Sequence, residues 1–434
     1  MMPAIAKILI VFVSMLALTR LKIQLGLALV LGGVALNFWA GMPFLVTLAN
    51  LGHALTSSEV WLLMAITTLI IELGRFMTEK RNADEIIAAT MRWGGRHGRA
   101  ASLMALPAVI GLIPMPGGAL FSAPFVEKAG DRDGSDPEWM SAVNYWFRHV
   151  WEYWWPMYPG VIVAMAIFKM DARAFIAAQF LYSPVAVGAG YFFLIHPHLQ
   201  RLMDAHGGDS VHSRRAWFVA VPLIVTLSSL FVLPPLLKPL LPHGFQESVR
   251  MLSLLVGLVF AVGIVFFDEV RQSGSLLPRT MFSSLVRWKG LNVLASLCGV
   301  LVFKVMLDTS GLLPLASKDL VMSGIPIVVA VAALPFLAGI VTGLALGFAG
   351  TAFPLVVGLM GAEGSDLTPM ATLVLAYGFG YMGMMLSPVH LCLLVTKDYF
   401  EAPMQKVYWR VLPCVLCVLV YCIMAHTVLA MLGL

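Results

Sequence analysis

Charge is scarce in this chain. Lys, Arg, Asp and Glu make up 12% of its 434 residues, against roughly 25% in a soluble globular domain. No polar stretch is long enough to be a separate soluble domain. No basic stripe with interleaved aromatics occurs, so the net charge of +5 is not a nucleic-acid footprint. The five cysteines, Cys298, Cys392, Cys414, Cys417 and Cys422, all sit in apolar runs. An odd count without polar spacing excludes a disulfide framework. The C-x-x-C of Cys414 and Cys417 lies within a continuous helix pattern and reads as packing. Enzyme signatures are missing: no H-E-x-x-H, no nucleotide-binding glycine loop before a lysine, no paired carboxylates in apolar segments. Glu127 and Asp131 sit in a charged loop beside Lys128, Arg132 and Asp133, which a solvated face explains. The chain therefore reads as a non-enzyme with no cofactor and no metal.

What is abundant is apolar: hydrophobic residues are 60% of the chain. At about 20 residues per membrane span, the length accommodates ten spans. They are placed at about 3–19, 23–41, 59–78, 144–169 and 172–196, then 216–240, 247–268, 291–307, 368–396 and 407–432. The first apolar run lacks a strongly basic start and a small-residue cleavage site, and reads as a retained span. Two further segments, 99–130 and 324–361, are broken. The first carries Gly111-Leu-Ile-Pro-Met-Pro-Gly-Gly-Ala-Leu-Phe-Ser-Ala-Pro124, and the second Gly343-Leu-Ala-Leu-Gly-Phe-Ala-Gly-Thr-Ala-Phe-Pro354. Proline removes a backbone donor, and glycine is costly inside a helix. In lipid such breaks survive only when buried in protein or lining a wet cavity. Both segments are expected to be re-entrant hairpins, with tips near 114–118 and 347–351.

An internal repeat links the two. An offset of 230 residues brings Pro124 onto Pro354, Gly117 onto Gly347 and Ala119 onto Ala349. Halves 1–212 and 213–434 then hold five spans each. An odd number forces opposite insertion, so the repeat is of inverted topology. Basic residues agree. Lys80, Arg81, Arg92, Arg96 and Arg99 follow the third span. Arg201, Arg214 and Arg215 lie between the fifth and sixth, and Arg271, Arg279, Arg287 and Lys289 follow the seventh. Lys397, Lys406 and Arg410 follow the ninth. All these loops fall on one side, taken as cytoplasmic; the loops at 42–58, 308–323 and 362–367 are poor in Lys and Arg. Both termini are then extracytoplasmic, in a prokaryotic inner membrane.

Two stretches carry a family resemblance: Pro-Met-Pro-Gly-Gly-Ala-Leu-Phe-Ser-Ala-Pro-Phe-Val at 114–126, and Ser387, Pro388, Val389, His390, Leu391 and Cys392 followed by Thr396, Tyr399 and Phe400. They resemble an uncharacterised prokaryotic integral-membrane family, labelled domain of unknown function four hundred and one. It belongs to the ion-transporter superfamily, with dicarboxylate, citrate, gluconate and some sodium–proton carriers. The resemblance implies an all-α polytopic membrane protein with a scaffold domain, a moving transport domain, and two opposed hairpins meeting at a midplane site. Sodium-coupled dicarboxylate carriers have Ser-Asn-Thr hairpin tips. Here the tips read Pro116-Gly117-Gly118 and Ala349-Gly350-Thr351, without asparagine.

A helix broken at mid-membrane presents unpaired amide donors and about half a positive charge at its N-terminus, which favours an anion. Gly117, Gly118 and Gly350 would let the anion approach the backbone, and Ser122 and Thr351 would add hydroxyls. A second break follows each hairpin, at Trp154-Trp155-Pro156-Met157-Tyr158-Pro159-Gly160 and at Tyr377-Gly378-Phe379-Gly380-Tyr381 with Ser387-Pro388. Its unwound backbone would offer carbonyls to a cation, or donors to the substrate. An aromatic belt beside a proline kink also accounts for the tryptophans. The expected substrate site is Gly117, Gly118, Ser122, Gly350, Thr351, Ser387, His390 and Tyr158. Ionisable residues within spans are functional candidates. His390, His149 and Glu152 are the proton-coupling candidates; His149 and Glu152 share a helix face beside Arg148. Glu72 with Arg75, and Lys304 with Asp308, read as local ion pairs. The expected function is secondary transport of a small organic anion, a carboxylate, by elevator-type alternating access, with H+ coupling favoured over Na+. A Na+/H+ antiporter is the alternative, and a non-transport membrane subunit or enzyme a third class. The expected partners are the anion, the coupling ion and the bilayer, with a homodimer allowed.

Overall fold

A computed structural model describes residues 2–79, 82, 85, 98–113, 118–130, 136–203, 216–240, 249–273, 288–324, 326–361 and 366–434. All their regular structure is helical. The first half runs α1 (Ala4–Arg20), α2 (Leu25–Trp39), α3 (Phe44–Thr56), α4 (Ser58–Thr78), α5 (Arg99–Gly111), α6 (Ala119–Gly130), α7 (Pro137–Arg148), α8 (Pro159–Ile167), α9 (Ala172–Gln179), α10 (Tyr182–Gly190) and α11 (Leu199–Met203). The second runs α12 (Ala216–Leu237), α13 (Val249–Ser273), α14 (Trp288–Thr309), α15 (Leu312–Met322), α16 (Ile327–Thr342), α17 (Ala345–Met360), α18 (Pro369–Met385), α19 (Leu391–Tyr399) and α20 (Met404–Met431).

Among the described residues, six helical stretches are long and apolar enough to cross a bilayer: Ser58–Met77, Ala172–His198, Ala220–Leu237, Met251–Arg271, Gly290–Thr309 and Met404–Met431. The chain is a multi-pass membrane protein. Two segments expected as loops are instead largely helical, as α3 and α15. α3 has 13 residues, about 20 Å at 1.5 Å per residue. That is too short for a span, although Phe44, Leu45 and Leu48 are exposed apolar residues. The spans placed at 144–169 and 368–396 are both interrupted. Pro156 and Pro159 accompany the first break, between α7 and α8, and Pro388 the second, between α18 and α19. Proline's missing amide and its ring clash end the preceding helix, while Pro159 is well suited to the first position of α8.

The 230-residue spacing extends to whole helices. Shifted by that amount, α4 becomes 288–308 against Trp288–Thr309, α5 becomes 329–341 against Ile327–Thr342, and α8 becomes 389–397 against Leu391–Tyr399. Contacts follow the same exchange. α5 packs on α7 as α16 packs on α18, and α2 packs on α14 as α13 packs on α4. Across the halves α6 packs on α19, and α17 packs on α8. Each hairpin's second arm thus lies on the other half's broken span. α16 and α18 touch backbone to backbone: a Cβ on Gly339 would fall 2.2 Å from the Gly380 carbonyl oxygen, and one on Gly383 equally close to that of Phe336. Small residues at such crossings let apolar helices approach closely.

The second hairpin turns at Gly343 and Leu344, where Gly343 has φ +64°. The expected tip at 347–351 is therefore corrected: Gly347, Gly350 and Thr351 lie inside α17. Left-handed backbone needs glycine, whereas Gly347 and Gly350 serve packing. Of the first tip, residues 114–117 lie outside the described residues. α16 and α17 have 16 residues each, about 24 Å at 1.5 Å per residue, short of the roughly 30 Å hydrocarbon core. We expect both arms of each pair to start and finish on one membrane side. Single cysteines replacing Arg99 and Lys128, or Gly324 and Gly361, should react with an impermeant thiol reagent from the same side; opposite-side labelling would show that the segment crosses the membrane instead.

Candidate functional site

The two broken spans meet. α7 ends at Arg148 and α19 begins after His390. His149 Nε2 and His390 Nε2 lie 3.2 Å apart. His149 Nδ1 sits 2.6 Å from the Tyr145 carbonyl oxygen. A carbonyl only accepts, so Nδ1 carries the hydrogen, and in the neutral ring Nε2 is an acceptor. His390 Nε2 faces it, and His390 Nδ1 is buried beside the Gly343 backbone without a bond of normal geometry. One histidine from each half thus meets the other across the junction.

Beside this pair lies a buried ion pair. Arg148 is 1% exposed and Glu152 7%. Arg148 Nη1 stands 3.8 Å from Glu152 Oε1, and His149 Nε2 is equally far from that oxygen. Arg148 Nη1 donates to the Tyr158 hydroxyl (3.1 Å), and Nη2 to the Ile113 carbonyl (3.3 Å). The guanidinium is thus anchored at the end of the first hairpin's leading arm.

That arm ends without the next turn to bond its carbonyls, which inside a membrane is expensive. Side chains of the 149–158 break supply the missing donors. Trp151 Nε1 donates to Ala108 (2.9 Å), Trp155 Nε1 to Leu112 (3.0 Å), and the Tyr158 hydroxyl to Gly111 (2.5 Å). Trp151 and Trp155 are therefore carbonyl caps rather than an interfacial belt, while Trp154 Nε1 donates to the Ser183 hydroxyl at 2.7 Å. The carbonyls of the break are served in turn. Tyr381 donates to that of His149 (2.8 Å), Tyr377 to that of Glu152 (2.7 Å), and Ser183 to that of Val150 (2.5 Å). These three oxygens, which precede the 154–160 stretch expected to offer carbonyls, each accept a hydrogen bond already.

The expected site residues separate into groups. Tyr158, His149, Glu152 and His390 converge as described. Ser387 lies at the second tip: its Oγ donates to the Ile340 carbonyl at 2.6 Å, and a Cβ on Gly343 would fall 2.9 Å from it. Gly118 is buried just before α6. Gly117 lies outside the described residues. Ser122 forms a separate polar cluster, donating to Asn144 Oδ1 (2.5 Å), while Asn144 Nδ2 donates to the Ala119 carbonyl (2.8 Å) and to Thr396 Oγ1 (3.2 Å). Gly350 faces α14, where a Cβ would fall 2.3 Å from Val300 Cγ2. Thr351 Oγ1 bonds back to Gly347 within its own helix at 2.8 Å. Neither Gly350 nor Thr351 is brought to the histidine pair. Arg148 and Asn144 were not among the expected site residues. A basic and an acidic residue four apart just before a proline break was the legible signal for Arg148; Asn144 had none beyond being polar in an apolar run.

His149, His390 and Cys392 place their donor atoms within 4.8 Å of one another, a set that could hold a soft metal ion. Arg148 bears on both histidines, and its fixed positive charge works against a second cation. Three helices begin at the junction without a side-chain cap, after Tyr158, Leu344 and His390. α8 and α17 start against each other: a Cβ on Gly160 would lie 2.7 Å from Ala345 Cβ. Two uncapped N-termini and a buried guanidinium make the junction receptive to negative charge.

The chain matches the family described as "Protein of unknown function (DUF401)" over residues 3–429. It belongs to this family. Among solved structures, the DUF401 chain is similar to the Alcanivorax borkumensis YdaH transporter, with 15% identity and a TM-score of 0.53 over 88% of this chain and 86% of that one. At that identity the likeness is one of fold. No curated protein matches the chain.

Replacing Trp155 with Phe leaves the Leu112 carbonyl buried and uncapped. We expect a loss of about 1–3 kcal/mol, read as a lowered unfolding temperature in detergent, whereas Trp409→Phe at an exposed position should be neutral.

Proposed function

We propose that this protein is a secondary transporter of a small organic anion of the carboxylate class. The observation that carries the reading is Arg148, a fully buried guanidinium where two helix breaks cross. In a membrane interior a buried charge with a loosely held partner is a functional feature by default. The uncapped starts of α8, α17 and α19 support an anion. The site we infer is Arg148, Tyr158, His390 and the two hairpin tips, including Gly118 and, replacing Gly350 and Thr351, Gly343.

The halves 1–212 and 213–434 are read as an inverted repeat, supported by the shared helix order and exchanged contacts. The hairpins and broken spans form the moving unit, and α1, α2, α4, α12, α13 and α14 the scaffold, in elevator-type alternating access. The protein acts in a prokaryotic inner membrane with both termini outside. The coupling ion is a proton rather than sodium, since the junction holds His149, His390 and Glu152, while the nearby carbonyls are occupied. A Na+/H+ antiporter is the second reading. One observation favours it: Glu152 is a buried carboxylate of the kind such a mechanism requires.

The test is a thermal-shift screen of purified protein with carboxylates, sugar acids and inorganic anions, with and without sodium and across pH. A ligand at 100 times its Kd stabilises by about 2.7 kcal/mol. At least one carboxylate should raise the unfolding temperature of the wild type and not of Arg148→Gln. Gly118→Val should insert normally yet lose both the shift and uptake into proteoliposomes, because a branched side chain fills the tip. Stabilisation by sodium alone would favour the antiporter.

A further inference from the structure

We infer that Glu152 and the transported anion compete for Arg148, so that the site takes up one proton with each monoanionic carboxylate. This rests on the anion reading above and adds its coupling rule and its charge class.

The geometry of the pair is the starting point. Arg148 is held by Tyr158 and by the Ile113 carbonyl, not by Glu152, whose oxygen stands 3.8 Å away. A direct charge-assisted bond is about 2.7–2.9 Å long. Glu152 therefore neutralises Arg148 without gripping it, and a carboxylate that forms short bonds can take its place. Among the described residues, the titratable groups facing Glu152 are Arg148, His149, Tyr145, Tyr153, Tyr158, Tyr377 and Tyr381. Tyr377 and Tyr381 come from α18, and their hydroxyl hydrogens already go to the Glu152 and His149 carbonyls. Tyr158 gives its own to Gly111. The Arg148 charge beside the histidine pair opposes a second positive charge there, so the pair counts as neutral. Arg148 is thus the one fixed cation in the cluster, and Glu152 the one anion.

Charge counting then gives the rule. The empty cluster sums to zero. An added monoanion makes it −1, with one carboxylate losing its counter-charge in a site almost closed to water, which is strongly unfavourable. A proton on Glu152 returns the sum to zero. The empty carrier and the carrier with anion plus proton are both neutral, whereas the carrier with either alone bears a net charge. Only neutral forms cross the apolar interior cheaply, so the coupling needs no separate gate. A dicarboxylate would bring an unmatched second charge, and the site selects monoanions. Glu152 is protonated as the anion docks, and returns its proton when the anion leaves and Arg148 pairs with it again. No bond other than that O–H forms or breaks.

The experiment uses purified full-length protein with acetate, lactate, benzoate and succinate as probes. Affinity is followed by calorimetry from pH 5 to 9, and proton uptake by an indicator dye in weak buffer. Monocarboxylate affinity should fall about tenfold per pH unit on the alkaline side, as one linked proton requires, with one proton taken up per anion bound. Succinate should bind at least tenfold more weakly. Glu152→Gln should bind monocarboxylates with no pH dependence and no proton uptake. Arg148→Lys should weaken binding but keep the slope, which separates lost affinity from lost coupling. Wild-type binding without a pH slope, or a slope surviving in Glu152→Gln, would overturn the competition while leaving the anion reading intact. Failure of every probe to bind the wild type at any pH would overturn both.

Discussion

A helix that stops inside a membrane leaves carbonyls and amides with no water to bond, and the centre of this protein is organised around that debt. The leading arm of the first hairpin stops near Ile113, and Trp151, Trp155, Tyr158 and Arg148 of the neighbouring break each bond one of its last carbonyls. The break's own carbonyls are bonded by Tyr377 and Tyr381 from the other half. Each interruption is stable because another interruption lies against it. Indole and phenol groups suit this task. Each carries a single polar hydrogen on a large apolar body, so it caps a carbonyl while filling space.

The same constraint explains the uneven polarity of the junction. Carbonyl ends are satisfied by side chains, but three amide ends, at α8, α17 and α19, have no side-chain cap. Donors are left in surplus where two of these starts abut at Gly160 and Ala345. Arg148 adds to the surplus and Glu152 offsets it. The histidine pair ties the two breaks together, with His149 Nδ1 committed to the Tyr145 carbonyl. A site of this composition discriminates first by sign and only then by shape.

Much of this was legible from residue types alone. Proline and glycine marked the breaks at 149–158, 343–344 and 386–390, but they also raised a false one. The expected break at 377–381 lies inside α18, whose Gly380 and Gly383 serve packing against α17 and α16. Likewise α12 carries Pro222, Pro234 and Pro235 within its length. The helix order kept the 230-residue spacing. The position of the second tip was misread because Gly347 and Gly350 look like Gly343 in sequence. Only the backbone tells a glycine that turns left-handed from one that makes room for Val300 or Thr342. The short helices α3 and α15 were taken for loops because their lengths fall below a span. Arg148 was legible as an oddity but not as a centre, because its burial depends on the Ile113 end of a segment some thirty-five residues away. Asn144 meets Ser122 and Thr396 only through packing of α6, α7 and α19.

The crosswise packing of α6 on α19 and of α17 on α8 bears on how the chain is made. During synthesis the first half is in the membrane, with its hairpin arm and its broken span, long before residues 345–399 exist. Until they arrive, α6 and α8 lack the neighbours that cover them in the finished molecule. The central unit therefore closes late, through contacts such as that of Gly160 with Ala345, 185 residues apart in sequence. Such non-local closure is slow and leaves surfaces open in the meantime. The long helices such as α13, α14 and α20, whose amides and carbonyls are bonded largely within each helix, can wait in lipid at little cost. The broken ones cannot, and their assembly is the step most exposed to error.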